Sequence, residues 1–430
     1  MNICVIGLGY IGLPTAAMFS HHGCNVIGVD INPKVVEALN GGNIHIEEPG
    51  LAELIQDAVN KKKFRASISP EPADVYIIAV PTPNQNDTYM SCDLTYVLEA
   101  CRSIVPYLDK GNTVIVESTI APRSTDDYIK PLFEEQGFTI GEDIFLAHCP
   151  ERVLPGKILY ELIYNNRIIG GITEKCTDAA ANVYSIFVRG EIIKTEAKTA
   201  ELSKCMENTY RDVNIALANE LVKICYDLDI NALDVIQMAN KHPRVNIHSP
   251  GPGVGGHCLA VDPYFIYAKS PKYANLIKMA RDTNNSMPQF VADLTSILVK
   301  GIESPRIAVL GVTYKGNVDD TRESPAMEVI GILQKEGYDL NIHDPHVKHP
   351  EFMELEDAVN GADLILVLAD HDEFKNLDHE SIAYLMRTPI LFDTKNIVKP
   401  QLRSGLEIVN FGNVFTYKTK IKGELYESVR

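Results

Sequence analysis

No apolar run in the 430-residue chain approaches the length that spans a bilayer, which excludes a helical membrane protein. The first residues, MNICVIGLGY, enter a strand-like segment with no basic lead, so no secretory signal is expected and a cytoplasmic location is. The nine cysteines are scattered, without a CxxC pair or a Cys/His cluster at zinc spacing. This argues against a disulfide framework or a bound metal and for a reducing compartment. Positive charge is in deficit: 40 Lys and Arg face 57 Asp and Glu, a net charge of -17. Non-specific binding to nucleic acid or an anionic membrane is disfavoured, although a local basic pocket for a phosphorylated small ligand is not. Short repeats and low-complexity tracts are absent too. What remains is 45% hydrophobic and 23% charged, the balance of a globular protein, and the length asks for two or three domains.

The N-terminal third opens on an apolar run, Ile3 to Ile6, followed at once by Gly7-Leu-Gly9-Tyr10-Ile11-Gly12. A helix is predicted over Pro14–His22 and a second strand over Asn25–Val29, ending at Asp30. Strand, glycine turn, helix, strand and acid form the dinucleotide-binding fingerprint in its required context. Gly7 makes the turn, Gly9 admits a pyrophosphate, Gly12 lets helix and strand close up, and the helix N-terminus offers amides to phosphate. Asp30 suits the adenosine ribose hydroxyls, which favours NAD over NADP. Lys34 lies either beside that ribose or in solvent. Further apolar strands are read at 75–80, 113–116 and 144–147, as in a parallel sheet covered on both faces. Their C-terminal loops carry Thr82, Thr119 and Glu151, where an open α/β sheet binds its ligand. Each hydroxyl could equally cap a helix, Thr82 above all.

Between residues 195 and 228 the composition is helical almost without a breaker. Leu202, Cys205, Met206, Tyr210, Val213, Leu217 and Leu221 recur at helical spacing, as suits a domain spacer or a subunit interface. Lys204 and Asn208, one turn apart, share a face; they either stabilise an oxyanion or are merely solvated. A helix at 232–241 leads through His242 and Arg244 into Ser249 to Phe265, SPGPGVGGHCLAVDPYF. Here Cys258 follows a run of glycines and prolines and precedes Asp262 by four residues. Two readings stand: a nucleophile on a loop that lets a substrate approach the main chain, or an inert packed thiol.

The last third repeats the α/β pattern, with strands at 306–311, 339–343 and 364–368 and a helix at 325–336. It lacks a GxGxxG, so it is expected to bind a nucleotide sugar rather than a dinucleotide. Lys315 and Arg322, in YKGNVDDTRESP, are either phosphate and cofactor contacts or an ordinary charged loop. The fold class is α/β: two Rossmann-like doubly wound domains joined by a long central helix and a small helical domain. The boundaries are 1–194 for NAD binding, 195–300 for dimerisation and the cysteine, and 301–430 for the nucleotide sugar.

PERVLPGK at 150–157, NRIIGG at 166–171, YRDVNIALANEL at 210–221, HPRVNI at 242–247 and PGPGVGGHCLAVDP at 250–263 resemble the UDP-glucose/GDP-mannose dehydrogenase family, over essentially the whole chain. The resemblance implies oxidation of the C6 alcohol of a nucleotide sugar to a carboxylate with two NAD+ and one water. Cys258 then adds to the aldehyde as a thiohemiacetal that is oxidised to a thioester. It further implies that Lys204 and Asn208 hold the C6 oxygen, that Asp262 acts with Lys204 and a water, that Thr119 lies beside the reactive carbon, and that Glu151 is the base for hydrolysis. Tyr10 and Ile11 are expected on the cofactor with Gly7, Gly9, Gly12, Asp30, Lys34, Thr82, Thr119 and Arg322. Arg152, Val153, Arg211, His242, Gly253, Gly255, Tyr314 and Lys315 are expected on the substrate, with Arg244 reaching it across a homodimer interface. The second glutamate of the UDP-glucose branch is Pro155 here, and the lysine before its aspartate is Val261. Both departures point away from UDP-glucose, and the resemblance implies a UDP-N-acetylhexosamine, the manno epimer at C2 ahead of the gluco. A two-electron hydroxyacid-type dehydrogenase is the alternative chemistry; it leaves Cys258 without a covalent role.

Overall fold

The computed structural model describes residues 1–154 and 156–418; Pro155 and the end of the 301–430 region lie outside the described residues. The chain forms two compact units, residues 1–207 with 264–273, and residues 208–263 with 274–430.

The first unit is built on eight strands: β1 Asn2–Ile6, β2 Asn25–Val29, β3 Phe64–Ser67, β4 Val75–Ile78, β5 Thr113–Val116, β6 Phe145–His148, β7 Arg167–Gly171 and β8 Ile192–Glu196. Their order is β3-β2-β1-β4-β5-β6-β7-β8. The strands from β3 to β6 are parallel, and β4 and β5 are buried throughout, which is why they read as unbroken apolar runs. The helix Gly12–His21 covers one face, where Phe19 packs edge-on to Phe187 at 4.8 Å and near Tyr184. The parallel sheet expected from sequence is incomplete in one respect. β7 runs antiparallel to β6, pairing Ala147 with Gly171 and His148 with Gly170. Its first residue is thereby delivered to the edge where the parallel strands end.

The second unit carries a five-stranded parallel sheet: β9 Arg306–Leu310, β10 Asp339–His343, β11 Leu364–Val367, β12 Ile390–Asp393 and β13 Glu407–Asn410. The order is β10-β9-β11-β12-β13, a doubly wound arrangement. Alternation sorts its side chains between two cores. Ile307, Val309, Leu364 and Leu366 pack with the helices Met287–Leu298 and Pro325–Lys335. Ala308, Leu310, Ile365 and Val367 pack with Phe374 and Leu391.

The long helix runs over Ala197–Asp227, 31 residues or about 46 Å; Thr195 and Glu196 belong to β8 instead. Its buried face mixes small apolar residues such as Ala200, Cys205, Ala218 and Val222 with Glu201, Lys204, Asn208, Asp212 and Asn219, while the larger Leu202, Met206, Tyr210, Leu217 and Ile224 are exposed. Of the apolar repeat seen in the sequence, Cys205 is buried and Leu202, Met206, Tyr210 and Leu217 face outward. Among the described residues no helix is long and apolar enough to cross a membrane.

Candidate active site

In the first unit the glycine turn follows β1. Gly7 donates its N–H to the Val29 carbonyl at 2.8 Å and has φ +93°; a Cβ there would stand 2.4 Å from the Ala79 carbonyl oxygen. A Cβ on Gly12 would fall 1.9 Å from the Gly7 carbonyl oxygen. Gly9 differs, because no atom of the chain lies within 4 Å of where its Cβ would be. Packing therefore accounts for two of the glycines, and beside the third the chain leaves room for a ligand to approach the backbone. Asp30 is half-buried beside the turn, with Oδ2 accepting the Leu8 N–H at 3.3 Å and Oδ1 the Asn32 N–H at 2.9 Å. Tyr10 is exposed and Ile11 half-buried in the same turn. Lys34 is exposed in the first turn of the next helix, its N–H capped by the Asn32 side chain. Turn, acid and helix amides fit a dinucleotide.

The loops after β4 and β5 are tied together: the Thr82 hydroxyl donates to the Thr119 carbonyl at 2.6 Å, so it is no helix cap. Thr119 is half-buried. Beneath these loops lies a cluster of charge that the sequence did not announce. Arg167, the first residue of β7, is buried against both Glu117 and Glu151. Burial pushes the Glu117 carboxyl up to about 7 against the pull of Arg167. Arg152 pairs with Glu207 at 2.7 Å and donates to the Asn166 carbonyl, while Val153 packs against the core. Lys204 is buried; His148 is fully buried, and its burial, with the Lys204 charge adding, pushes the imidazole down to about 3 and keeps it neutral.

In the second unit Asn208 donates to the Asp262 carboxylate at 2.6 Å, with both residues buried. The N–H groups of Val261 and Asp262 both donate to the Cys258 carbonyl, at 3.1 and 2.9 Å, and close the turn that holds the cysteine. Of the nine cysteines, Cys258 is exposed and the other eight are buried. Burial pushes the Cys101 and Cys149 thiols up to about 12, so they are poor nucleophiles. Three of the loop's four glycines are demanded by packing. A Cβ on Gly255 would lie 2.0 Å from the Glu323 carbonyl oxygen, on Gly253 2.9 Å from Pro325, and on Gly256 2.7 Å from the Tyr314 ring. From below, Asn219 accepts the Gly251 N–H at 2.9 Å and donates to Asn284, which in turn donates to Asp212 at 2.8 Å. At the rim His257 meets Asp320 at 2.9 Å, and Arg322 bonds the same carboxylate twice, each at 2.9 Å. Burial pushes Asp320 up, but the bonds from Arg322 and His257 more than reverse this and hold it well below the usual carboxylate range.

The structure thus gathers Asn208, Cys258, Asp262, Gly253, Gly255, Tyr314 and Arg322 around one loop. It gathers Gly7, Gly9, Gly12 and Asp30 around one turn, and Thr82 with Thr119 at the sheet edge. Arg211, His242, Arg244 and Lys315 are exposed; His242 Nδ1 accepts the Arg244 N–H at 3.3 Å. Glu117 and Arg167 were missed because only the reversal of β7 joins them. Among the described residues His346, His371 and Glu373 are close enough to suggest a metal site. The Asn317 N–H, however, points at His371 Nδ1 at 2.9 Å, which leaves the proton on Nε2 facing Asp344 and no lone pair to give.

The family profiles divide the chain as the sites do. The NAD binding domain of the UDP-glucose/GDP-mannose dehydrogenase family matches residues 1–188, the central domain 198–286 and the UDP binding domain 308–400. A UDP-N-acetyl-D-mannosamine dehydrogenase of Methanococcus maripaludis is 49% identical over 423 residues, 96% of this chain and 97% of that protein. The solved UDP-N-acetyl-mannosamine dehydrogenase of S. aureus superposes with a TM-score of 0.92 at 56% identity, covering 97% of this chain and 100% of the other. An NDP-N-acetyl-D-galactosaminuronic acid dehydrogenase of Ralstonia nicotianae is 44% identical, over 92% of this chain and 96% of that protein. With these matches, the chain belongs to the UDP-glucose/GDP-mannose dehydrogenase family and is an NAD-dependent dehydrogenase of nucleotide sugars.

Proposed function

We propose that this enzyme oxidises the C6 hydroxymethyl of UDP-N-acetyl-D-mannosamine to the carboxylate, through a thiohemiacetal and a thioester on Cys258. The observation that carries the covalent step is that Cys258 is the exposed thiol among nine, on a loop fixed by glycines and backed by the buried Asn208–Asp262 pair. The manno sugar is supported by the names of the M. maripaludis and S. aureus relatives. NAD, held by Gly7, Gly9, Gly12 and Asp30, supplies the hydride acceptor in both oxidations.

The residues divide the work by chemistry. Lys204 and Asn208 hold the C6 oxygen, and Asp262, bonded to Asn208, takes up the alcohol proton through a water as the aldehyde forms. The Cys258 sulfur bonds to the aldehyde carbon and its proton passes to the oxygen. Loss of the second hydride and of the hydroxyl proton leaves a thioester. Glu151 takes a proton from water, the hydroxide bonds to the thioester carbon, and the C–S bond breaks to return the thiol. Thr119 lies beside the reactive carbon, while Arg152, Val153, Arg211, His242, Gly253, Gly255, Tyr314 and Lys315 are assigned to the sugar nucleotide.

A homodimer is part of the reading, with Arg244 serving the neighbouring subunit. It is supported by the exposed stripe Leu202, Met206, Tyr210, Leu217, Ile224 and Leu228, an apolar surface of the kind that a partner covers. The test is a turnover panel of the manno, gluco and galacto UDP-N-acetylhexosamines with NAD+. Two NADH per manno sugar and a stalled Cys258→Ser are expected. One NADH per sugar, normal turnover by the variant, or preference for the galacto or gluco epimer would overturn the corresponding part.

A further inference from the structure

Arg167 is 4% exposed and lies between two buried carboxylates, Glu117 at 0% and Glu151 at 7%. Nη1 approaches Glu151 Oε2 at 2.5 Å, Nη2 bonds Glu117 Oε1, and Nε donates to Cys149 Sγ at 3.1 Å. The guanidinium stacks 3.9 Å from the centre of the Tyr184 ring, whose hydroxyl donates to Glu117 at 3.0 Å. Thr15 donates to the other Glu117 oxygen at 3.1 Å. Each of the three guanidinium nitrogens has a partner, and both oxygens of Glu117 accept hydrogen bonds. The Glu151 contact is different: Oε1 accepts the Arg152 N–H at 2.6 Å, but Oε2 meets the guanidinium as an ion pair without an aligned hydrogen bond. Glu151 is therefore held by charge at one oxygen while its hydrogen-bonding capacity there stays unused.

We propose that Arg167 is the positioning residue of Glu151, and that Glu117 is the buried counter-carboxylate that fixes the arginine. The inference rests on the reading of Glu151 as the hydrolytic base. The reversed strand explains how it is built: β7 runs against β6, so its first residue reaches the carboxyl edge where Glu117 and Glu151 follow β5 and β6. One cation serves two carboxylates, so the pair favours a single negative charge. Burial is complete at Glu117 and pushes its carboxyl up to about 7, so the two carboxylates compete for one cation. Among the described residues the charged or titratable groups that face Glu151 are Glu117, Arg167 and Cys149; the Arg152 guanidinium is turned to Glu207.

The test separates NADH formation from thioester hydrolysis by rapid mixing, in Arg167→Met, Arg167→Lys, Glu117→Gln and Glu151→Gln. Arg167→Met is expected to slow hydrolysis about 100-fold more than it slows the NADH burst, with part regained in Arg167→Lys, since a displaced base costs rate of that order. Glu117→Gln removes the carboxylate that competes with Glu151 for Arg167 and leaves the guanidinium wholly to Glu151, so the acid limb of the hydrolysis rate moves to lower pH by about one unit. An unmoved limb, or equal losses in burst and hydrolysis, marks a merely structural network and overturns the proposal. Should Arg167→Met not fold, the Glu117→Gln limb decides alone. A Glu151→Gln enzyme that hydrolyses normally overturns the assignment of Glu151 as base, and this proposal with it. A slow Glu151→Gln with an unmoved Glu117→Gln limb overturns this proposal only.

Discussion

Replacing Gly9 by alanine isolates ligand approach from folding. The new methyl would meet nothing of the chain within 4 Å, and Gly9 does not adopt the left-handed backbone conformation that resists a side chain. The folded state thus loses nothing, while the unfolded chain loses freedom worth about 0.4–1 kcal/mol. For a unit of this size the melting temperature should rise by about 1–4 °C. The dinucleotide meets the opposite effect. A methyl inserted between backbone and pyrophosphate is an overpacking of about 1–3 kcal/mol, which weakens NAD+ binding about 5- to 150-fold. Gly12→Ala is the contrast: its methyl falls 1.9 Å from a backbone oxygen that cannot move without Gly7, so folding itself suffers. Calorimetric titration with NAD+ and thermal melts on both variants measure the two quantities. A Gly9→Ala protein with unchanged NAD+ affinity, or with a lowered melting temperature, refutes the division of the three glycines.

Leu217→Glu, at a residue 55% exposed on the long helix, should convert a dimer to monomers in sedimentation velocity; a monomeric wild type removes the interface. Arg281→Met strands the fully buried Asp212, its ion-pair partner at 2.7 Å, and should cost about 3–5 kcal/mol in denaturant unfolding, part of it recovered by adding Asp212→Asn. The Asp320 carboxyl, depressed on folding, adds stability that is complete above the unfolded value of about 3.9 and is lost as pH falls through the folded value. The deficit of Asp320→Asn in thermal melts should therefore be largest near neutrality and shrink below about pH 4; a deficit constant with pH counts against the Arg322–Asp320–His257 pairing.

The sequence by itself determined what repeats locally. Strand, glycine turn, helix and acid all fall between Asn2 and Asp30, and their spacing is set by one βαβ unit, so Gly7, Gly9, Gly12 and Asp30 could be read together. The long helix and the second α/β half were legible from period and length, and the cysteine loop from its glycines. Direction and partnership were not. An apolar strand carries no mark of which way it pairs, so the reversal of β7, and with it the meeting of Glu117 with Arg167 across 50 residues, waited on the tertiary structure. The long helix makes the same point in its burial. Its apolar repeat suited a spacer or a subunit interface and said nothing of which polar residues lie inside, yet Glu201, Lys204, Asn208, Asp212 and Asn219 are buried. Polar groups can be buried only where partners satisfy them, and Asp262 for Asn208, Arg281 for Asp212 and Asn284 for Asn219 come from 54, 69 and 65 residues away.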